Sequence, residues 1–217
     1  MSLRGLAETA EVDPGYLGQV ERGLREPSIS ALAAIGEALG ADLSVRLYPN
    51  TGPRVRDHVQ ARIVEELLRI AHPRWRRLTE VPVYRPARGR IDAVLHDPVD
   101  AVLVATEVHS QIRRLEQQLG WAGLKAESLP SAEFWSRLDR EPTIGRLLVL
   151  RSTRTSREIV NRFAETLRVS YPAPAHAMHA AVIADTPWPG AGILWADVDK
   201  DAVRVLDRPP RGVSLGR

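Results

Sequence analysis

Residues 2–42 carry three short apolar stripes at helical spacing, and this pattern constrains the fold more than any other feature of the chain. Residues that begin or end helices lie between the stripes. Those residues are Asp13, Pro14 and Gly23 for the second stripe, and Ser28 or Ser30 with Gly40 for the third. Aspartate and serine cap helix N-termini, proline suits the first helical position, and glycine suits the left-handed turn after the last one. The pattern predicts three helices joined by tight turns.

This stretch resembles the lambda-repressor-like (XRE, Cro/CI) helix-turn-helix family in the spacing of many positions. The matching positions are Leu6-Ala7, Ala10, Val12, Leu17, Glu21, Gly23, Pro27-Ser28, Leu32 and Ala38-Leu39-Gly40. The resemblance implies that double-stranded DNA is a partner and that the second helix lies in its major groove. It also implies an earlier helix. We expect this first helix to be missing, so that Leu6, Val20 and Ile35 lack the helix against which they would pack.

The second helix departs from the family where it would face DNA. Gly15 and Gly18 stand where the family usually has polar side chains, and glycine makes no hydrogen bond to a base edge. Glu11 replaces the usual glycine of the turn, where a left-handed backbone would strain it. The side chains left to contact DNA are Asp13, Tyr16, Gln19, Arg22 and Arg25. Glutamine pairs well with adenine, so we expect a reader of weak or relaxed sequence preference.

The positive charge lies after this stretch and not in it. Residues 1–50 hold four arginines against seven carboxylates, a net −3, whereas residues 54–77 hold seven arginines against three carboxylates, a net +4. The second segment either faces the DNA backbone or is a solvated helix face. The chain has no cysteine, no apolar run that could span a bilayer and no signal-peptide pattern. We therefore expect a cytoplasmic protein with no disulfide framework, no thiolate zinc site and no membrane partner.

Turn-forming residues divide the chain into two domains. We predict a helix-turn-helix domain over 1–48, a linker over 49–53, a second domain over 54–208 and a flexible tail over 209–217. The first domain ends in a short alternating strand, 43–48. The second domain has the order helix, three strands, helix, strand, two helices and a last strand, over about 54–71, 78–84, 90–95, 101–108, 111–128, 146–150, 155–168, 174–184 and 192–196. The predicted fold class is α+β, a truncated all-α head followed by an α/β core.

The order of elements in the second domain resembles the restriction-endonuclease-like, or PD-(D/E)xK, core. Asp92 lies in a segment that looks like the family's second core strand, and Glu107 in one that looks like its third. Glu65 or Glu66 in the preceding helix resembles an extra acid often found there. The resemblance implies that Asp92 and Glu107 would hold Mg²⁺, with a lysine to orient the attacking water.

His109 occupies the lysine position of this pattern. Histidine is shorter and mostly neutral at pH 7, so it replaces lysine poorly. Lys125 in the following helix could have moved to reach the same site, and Gln111, Arg113 and Arg114 could contact phosphate. We interpret the domain as one that kept the fold and lost catalysis, with no resident cofactor and no cleavage of DNA.

Three hypotheses for function follow. The first is a DNA-binding transcriptional regulator with an inactive nuclease-like domain. The second is a Mg²⁺-dependent deoxyribonuclease guided by its helix-turn-helix, and the third is an antitoxin-like protein whose second domain binds a partner protein. A second copy of the chain, in a homodimer, is a further candidate partner. His176 and His179 lie one helical turn apart, but the sequence offers no evident third zinc ligand, so we expect no zinc site.

Overall fold

The computed structural model describes residues 2–43 and 58–215 of the 217-residue chain. The chain divides into two compact units, Met1–Gly52 and Pro53–Arg217, each of which is considered by itself. The predicted linker over 49–53 lies outside the described residues, as does nearly all of the predicted strand over 43–48.

Residues 2–43 of the first unit form three helices, each of which begins at a side chain that caps its N-terminus. They are α1 (Leu3–Thr9), α2 (Pro14–Glu21) and α3 (Ile29–Ala38). The carboxylate of Asp13 accepts a hydrogen bond from the Tyr16 N–H at 2.8 Å, and the Ser28 hydroxyl accepts one from the Ala31 N–H at 3.1 Å. Ser2 caps α1 in the same way. The three helices predicted from the apolar stripes are confirmed.

Left-handed residues end the helices of the first unit. Gly23 has φ of 69° after α2, and Gly40 has φ of 71° after α3. Glycine adopts this conformation without steric cost because it has no Cβ. Glu11, between α1 and α2, has φ of 52°. A side chain in this conformation costs about 1–2 kcal/mol, so the turn carries the strain that the sequence predicted.

The core of the first unit is small. Ala7, Ala10 and Leu17 are buried in it, whereas α3 buries none of its side chains against the described residues. Leu24 and Ile29 are 72% and 63% exposed. A small apolar core stabilises a domain only weakly. The described residues of the unit therefore keep apolar surface that further packing could bury.

The second unit is built on one six-stranded mixed sheet whose strands lie in chain order. The strands are β1 (Arg76–Val83), β2 (Gly89–Asp97), β3 (Val102–His109), β4 (Thr143–Arg151), β5 (Ala191–Val198) and β6 (Val203–Leu206). Strands β1, β2 and β3 form an antiparallel meander. Strands β4 and β5 continue parallel to β3, and β6 returns antiparallel to β5. The parallel pairs place the carboxyl ends of β3, β4 and β5 at one edge of the sheet.

Helices cover both faces of this sheet. They are α4 (His58–Ile70), α5 (Leu115–Glu127), α6 (Arg154–Arg162), α7 (Ala164–Ser170) and α8 (Ala175–Ile183). On one face, α4 and α8 pack on alternate residues of the central strands. On the other, α5, α6 and α7 pack on the remaining residues. Strand β4 is buried on both faces, which is why its sequence is an almost continuous apolar run.

Three features differ from the predicted elements. The helix predicted over 155–168 is two helices that meet at Phe163. Strand β6 was not predicted. The segment after β6 differs from the predicted flexible tail, because Val213 and Leu215 are buried against the face that carries α6 and α7. The Asn161 side chain holds this segment by accepting a hydrogen bond from the Ser214 N–H at 3.2 Å.

Candidate functional site

Helix α2 presents a polar surface that suits contact with DNA. Gln19 and Arg22 are exposed on it, and Tyr16 is half-buried beside them. The guanidinium of Arg25 lies 5.2 Å from the centre of the Tyr16 ring, a cation–π contact that orders this arginine next to the helix. The Asp13 carboxylate is used as the cap of the same helix. The five predicted DNA-contacting residues therefore lie on or next to α2.

Gly18 lies beneath one of these side chains. It is buried, and a Cβ atom added there would lie 3.4 Å from Nη1 of Arg22. The Arg22 side chain therefore folds back over Gly18, so that a guanidinium covers a position where the resemblance expects a polar residue. At Gly15 an added Cβ would lie 3.1 Å from the capping oxygen of Asp13. A side chain at Gly15 would therefore crowd the capping carboxylate, whereas one at Gly18 would meet Arg22 at an ordinary contact distance.

A second cluster of polar side chains lies in the second unit, where β2 and β3 separate. Their pairing runs from Asp97 and Val102 to Ala93 and Thr106. Asp92 lies one residue beyond this pairing, and its carboxylate accepts a hydrogen bond from the Val108 N–H at 2.8 Å. The Asp92 carboxylate thus binds a backbone N–H of β3 that the backbone of a neighbouring strand would otherwise bind.

The pKa of Asp92 is raised, chiefly because burial disfavours the carboxylate. The charge of Lys125 and hydrogen bonds from the Val108 N–H and the Gln60 side chain oppose that rise. The nearby carboxylate of Glu80 adds to it. A cation placed at this carboxylate would therefore offset the cost of keeping it charged.

Glu107 and Lys125 form a buried ion pair next to Asp92. Their side chains are each 8% exposed, and the Lys125 ammonium contacts the Glu107 carboxylate directly. The same ammonium donates a hydrogen bond to the Arg90 carbonyl at 2.9 Å. Lys125 thereby joins α5 to β2 and β3. Gly89 leaves room for the Lys125 side chain, because a Cβ there would lie 3.1 Å from Cδ of Lys125, a tight contact.

The structure shows the side-chain contacts of three residues that the sequence suggested, Lys125, His109 and Glu66. Lys125 on α5 supplies the ammonium beside the two carboxylates, whereas Nδ1 of His109 lies 3.4 Å from Nε2 of Gln118. Glu66 pairs with Arg69 through two short hydrogen bonds at 2.7 and 2.8 Å, and this pairing lowers the pKa of Glu66.

Gln60 is the α4 residue that reaches the site, and sequence reasoning missed it. Its side chain hydrogen-bonds Asp92, whereas the acid expected from this helix was Glu65 or Glu66. The sequence did contain a pattern that could have identified Gln60. Gln60 precedes Val64 and Leu67 at helical spacing, so it is a polar residue on the stripe that packs on the sheet.

Tyr171 and Arg146 lie beside the buried ion pair. The Arg146 guanidinium is 5.3 Å from the centre of the Tyr171 ring. Burial raises the pKa of Tyr171, the Arg146 charge lowers it, and the charge of Glu107 raises it further. The tyrosine is therefore a neutral hydroxyl close to Glu107 at pH 7.

Residues 1–45 match the helix-turn-helix family model. Over 65 residues the chain is 42% identical to the HTH-type transcriptional regulator Rv0474 of Mycobacterium tuberculosis, a match that covers 27% of this chain and 46% of that protein. Over 46 residues it is 48% identical to the transcriptional regulator ClgR of the same organism, which covers 21% of this chain and 41% of that protein. The chain thus spans less than half the length of these relatives. No solved structure matches it.

Two further features of the described residues bear on function. No helix within 2–43 or 58–215 is long and apolar enough to cross a membrane. The same residues contain no group of three or more histidine, aspartate or glutamate side chains arranged to hold a metal ion. His176 is exposed and His179 half-buried on α8.

Proposed function

We propose that the protein is a DNA-binding transcriptional regulator that contacts double-stranded DNA through α2. The match of residues 1–45 to the helix-turn-helix family carries this proposal. The geometry of α2 supports it, because the helix is capped at its N-terminus and exposes Gln19 and Arg22 on one surface. Both relatives described above are named as transcriptional regulators. A regulator of this kind acts where the chromosome lies, so we also propose a cytoplasmic location.

The net charge is negative in the first 50 residues and positive in the rest of the chain, so the two parts should contribute differently to DNA affinity. Residues 1–50 carry a net charge of −3 and the whole chain carries +3, so the remaining residues carry +6. Neutralising phosphates supplies most of the affinity of a DNA-binding protein. An acidic first unit gains little from this effect beyond Arg22 and Arg25. We therefore expect modest affinity from the first unit alone, with base contacts deciding what it prefers.

Substitutions in α2 should separate base reading from backbone contact. We expect Gln19→Ala to flatten the sequence preference, because a lost base contact costs about 1–3 kcal/mol at the correct site and nothing elsewhere. Arg22→Ala and Arg25→Ala should weaken binding to all sequences alike, and each should lower the salt slope by about one. The measurement is selection from randomised short duplexes, followed by titration at several salt concentrations.

A matched control is Arg154→Ala, which removes a 91% exposed arginine of α6. Its sequence preference should equal that of the parent chain. If Gln19→Ala, Arg22→Ala and Arg25→Ala all bind like the parent at every salt concentration, α2 is not the reading helix and the proposed function loses its site.

For the second unit we propose a restriction-endonuclease-like core over about 54–208. The order of its elements supports this proposal, since α4 precedes an antiparallel meander and α5 leads into a strand parallel to β3. The placement of Asp92 and Glu107 on adjacent strands supports it as well. The domain bounds 1–48 and 54–208, the homodimer and the antitoxin-like alternative remain predictions.

One observation favours a second candidate function, a metal-dependent deoxyribonuclease. Lys125 places an ammonium at Glu107 beside Asp92, so the cation that the sequence pattern lacks at His109 comes from α5. The two carboxylates fit Mg²⁺, which binds proteins through one or two carboxylates and completes its shell with water and phosphate. When bound, such an ion polarises the phosphate and activates water. Asp92 and Glu107 would hold the ion, and Lys125 would orient the attacking oxygen.

Under this second candidate, purified protein should nick plasmid DNA slowly in Mg²⁺ or Mn²⁺. Asp92→Ala and Glu107→Ala should abolish the nicking, because each removes one of the two carboxylate ligands. Lys125→Arg should reduce it strongly, since a planar guanidinium does not fit the space of the ammonium. His109→Ala should retain activity. Turnover is read from the loss of supercoiled plasmid.

An inert parent chain in both metals would leave the regulator as the function and agree with the loss of catalysis expected from the sequence. In that case Asp92→Asn should be close to neutral for DNA binding. Circular dichroism of every variant distinguishes a lost site from a lost fold.

A further inference from the structure

The second unit contains a basic cavity far from the carboxylate cluster. Its volume is about 240 Å³. Arg76 and Arg77 of β1 line it together with Arg137 and Arg140, which lie between α5 and β4. Leu78, Phe134 and Leu138 form the apolar part of its lining. A concave lining of apolar residues with a few convergent charged groups is typical of small-molecule sites.

The cavity lies at the opposite end of β2 from Asp92. His96, which lines the cavity, pairs with Arg76 across β1 and β2. It follows Asp92 by four residues, a distance of about 13 Å along an extended strand. The cavity therefore shares no residue with the Asp92, Glu107 and Lys125 site, and its function has to be sought separately.

The guanidinium groups of the cavity keep most of their charge available. The Arg76 guanidinium makes no hydrogen bond or ion pair with any residue in the part of the chain that the structure describes. Arg77 lines the cavity but directs its guanidinium to the Ala71 carbonyl, on the face of the sheet that carries α4. Arg140 donates to the Pro98 and Val99 carbonyls, which orient its guanidinium without neutralising it. Arg137 pairs with a glutamate that is 84% exposed, a contact worth little in water.

Two titratable groups complete the lining. Asp139 is the one carboxylate among the lining residues, and the guanidinium groups of Arg76, Arg137 and Arg140 outnumber it. The pKa of His96 is lowered, chiefly by burial and also by the charge of Arg76, while Asp97 and Asp139 oppose that shift. His96 is thus a neutral imidazole at pH 7 that can hydrogen-bond an oxygen of a ligand. The cavity as a whole favours an anion.

We propose that this cavity binds a small organic phosphate, with the phosphoryl group at the guanidiniums and the carbon skeleton on Leu78, Phe134 and Leu138. Arginine matches the geometry of phosphate through paired N–H donors. The volume lies just below the range of about 300–1,000 Å³ that holds drug-sized ligands, which favours a compact molecule. A DNA backbone phosphate is the weaker occupant, because contact with it needs charge but no apolar floor.

Calorimetric titration of the full chain with phenyl phosphate tests the proposal, with inorganic phosphate and phenol as separate arms. We expect saturable binding of phenyl phosphate, weaker binding of inorganic phosphate and none of phenol. Arg76→Gln should raise the Kd by about tenfold, the effect of one lost charge-assisted hydrogen bond. Arg154→Gln, which removes an exposed arginine elsewhere, should leave the Kd unchanged. Leu138→Ala should weaken phenyl phosphate and leave inorganic phosphate as before.

Equal affinities of Arg76→Gln and Arg154→Gln for phenyl phosphate would overturn the proposal, as would the absence of saturable binding at millimolar concentration. A third outcome would overturn it in favour of DNA. In that case Arg76→Gln weakens binding of a short duplex while phenyl phosphate neither binds nor competes. The cavity lies within the second unit, so phosphate binding can be measured whether or not α2 reads DNA.

Discussion

Replacing Lys125 by methionine should lower the free energy of unfolding of the second unit by about 3–5 kcal/mol. The substitution keeps an unbranched side chain of similar length but leaves the buried Glu107 carboxylate without its ammonium. When one partner of a buried ion pair is removed, the other charge stays buried without compensation. The free energy that this charge lost on leaving water is then no longer offset. The Arg90 carbonyl also loses the hydrogen bond that it accepts from Lys125.

Urea unfolding followed by tryptophan fluorescence measures this change in the right unit, since all five tryptophans lie after residue 53. Lys200→Met is the matched control. It removes the other lysine of the chain, which is exposed, and should change stability by less than about 0.5 kcal/mol. The double variant Lys125→Met with Glu107→Leu should recover much of the loss, because the two residues are coupled. A loss under about 1 kcal/mol for Lys125→Met alone would contradict the buried ion pair.

The position of Lys125 also shows how much of the carboxylate cluster could be located from the sequence. Asp92 and Glu107 could be singled out because they lie in the segments that resemble the second and third core strands of the restriction-endonuclease-like family. The position of Lys125 could be considered but not decided. Its approach depends on the rotation of α5 over the sheet and on the absence of a side chain at Gly89. Neither is encoded in the local pattern around Lys125.

Strand β6 and the break between α6 and α7 were not predicted, for different physical reasons. Strand β6 has four residues, too few for an alternating pattern to stand out from chance. The break between α6 and α7 occurs at Phe163, without a glycine or proline to mark it. By contrast, the caps of the first unit are local signals. Asp13 and Ser28 bind backbone N–H groups three residues ahead, so the sequence predicted both helix starts correctly.

Arg74 connects three parts of the second unit through one buried guanidinium. Its side chain is 9% exposed and lies 3.2 Å from the buried carboxylate of Asp97, 3.6 Å from Asp100 and 3.5 Å from Asp185. The guanidinium also donates to the carbonyls of Ala181 and Thr186. These contacts join the segment before β1 to the turn after β2 and to the end of α8.

We expect Arg74→Met to lower the free energy of unfolding by about 3–5 kcal/mol, because Asp97 would remain buried without its cation. Arg74→Lys should recover little, since one ammonium cannot reproduce the several directions in which a guanidinium donates. Arg69→Met is the control. Arg69 is 71% exposed in its pair with Glu66, and exposed pairs contribute at most about 1 kcal/mol.

The same urea titration distinguishes the two arginines. Trp75 lies 4.4 Å beneath the Arg74 guanidinium and meets Trp188 edge to face at 5.8 Å, so its fluorescence reports directly on this region. Equal unfolding midpoints for Arg74→Met and Arg69→Met would show that the three carboxylates do not depend on the guanidinium. A large loss of stability confined to Arg74→Met would establish that this residue joins the segment before β1 to the turn after β2 and to the end of α8.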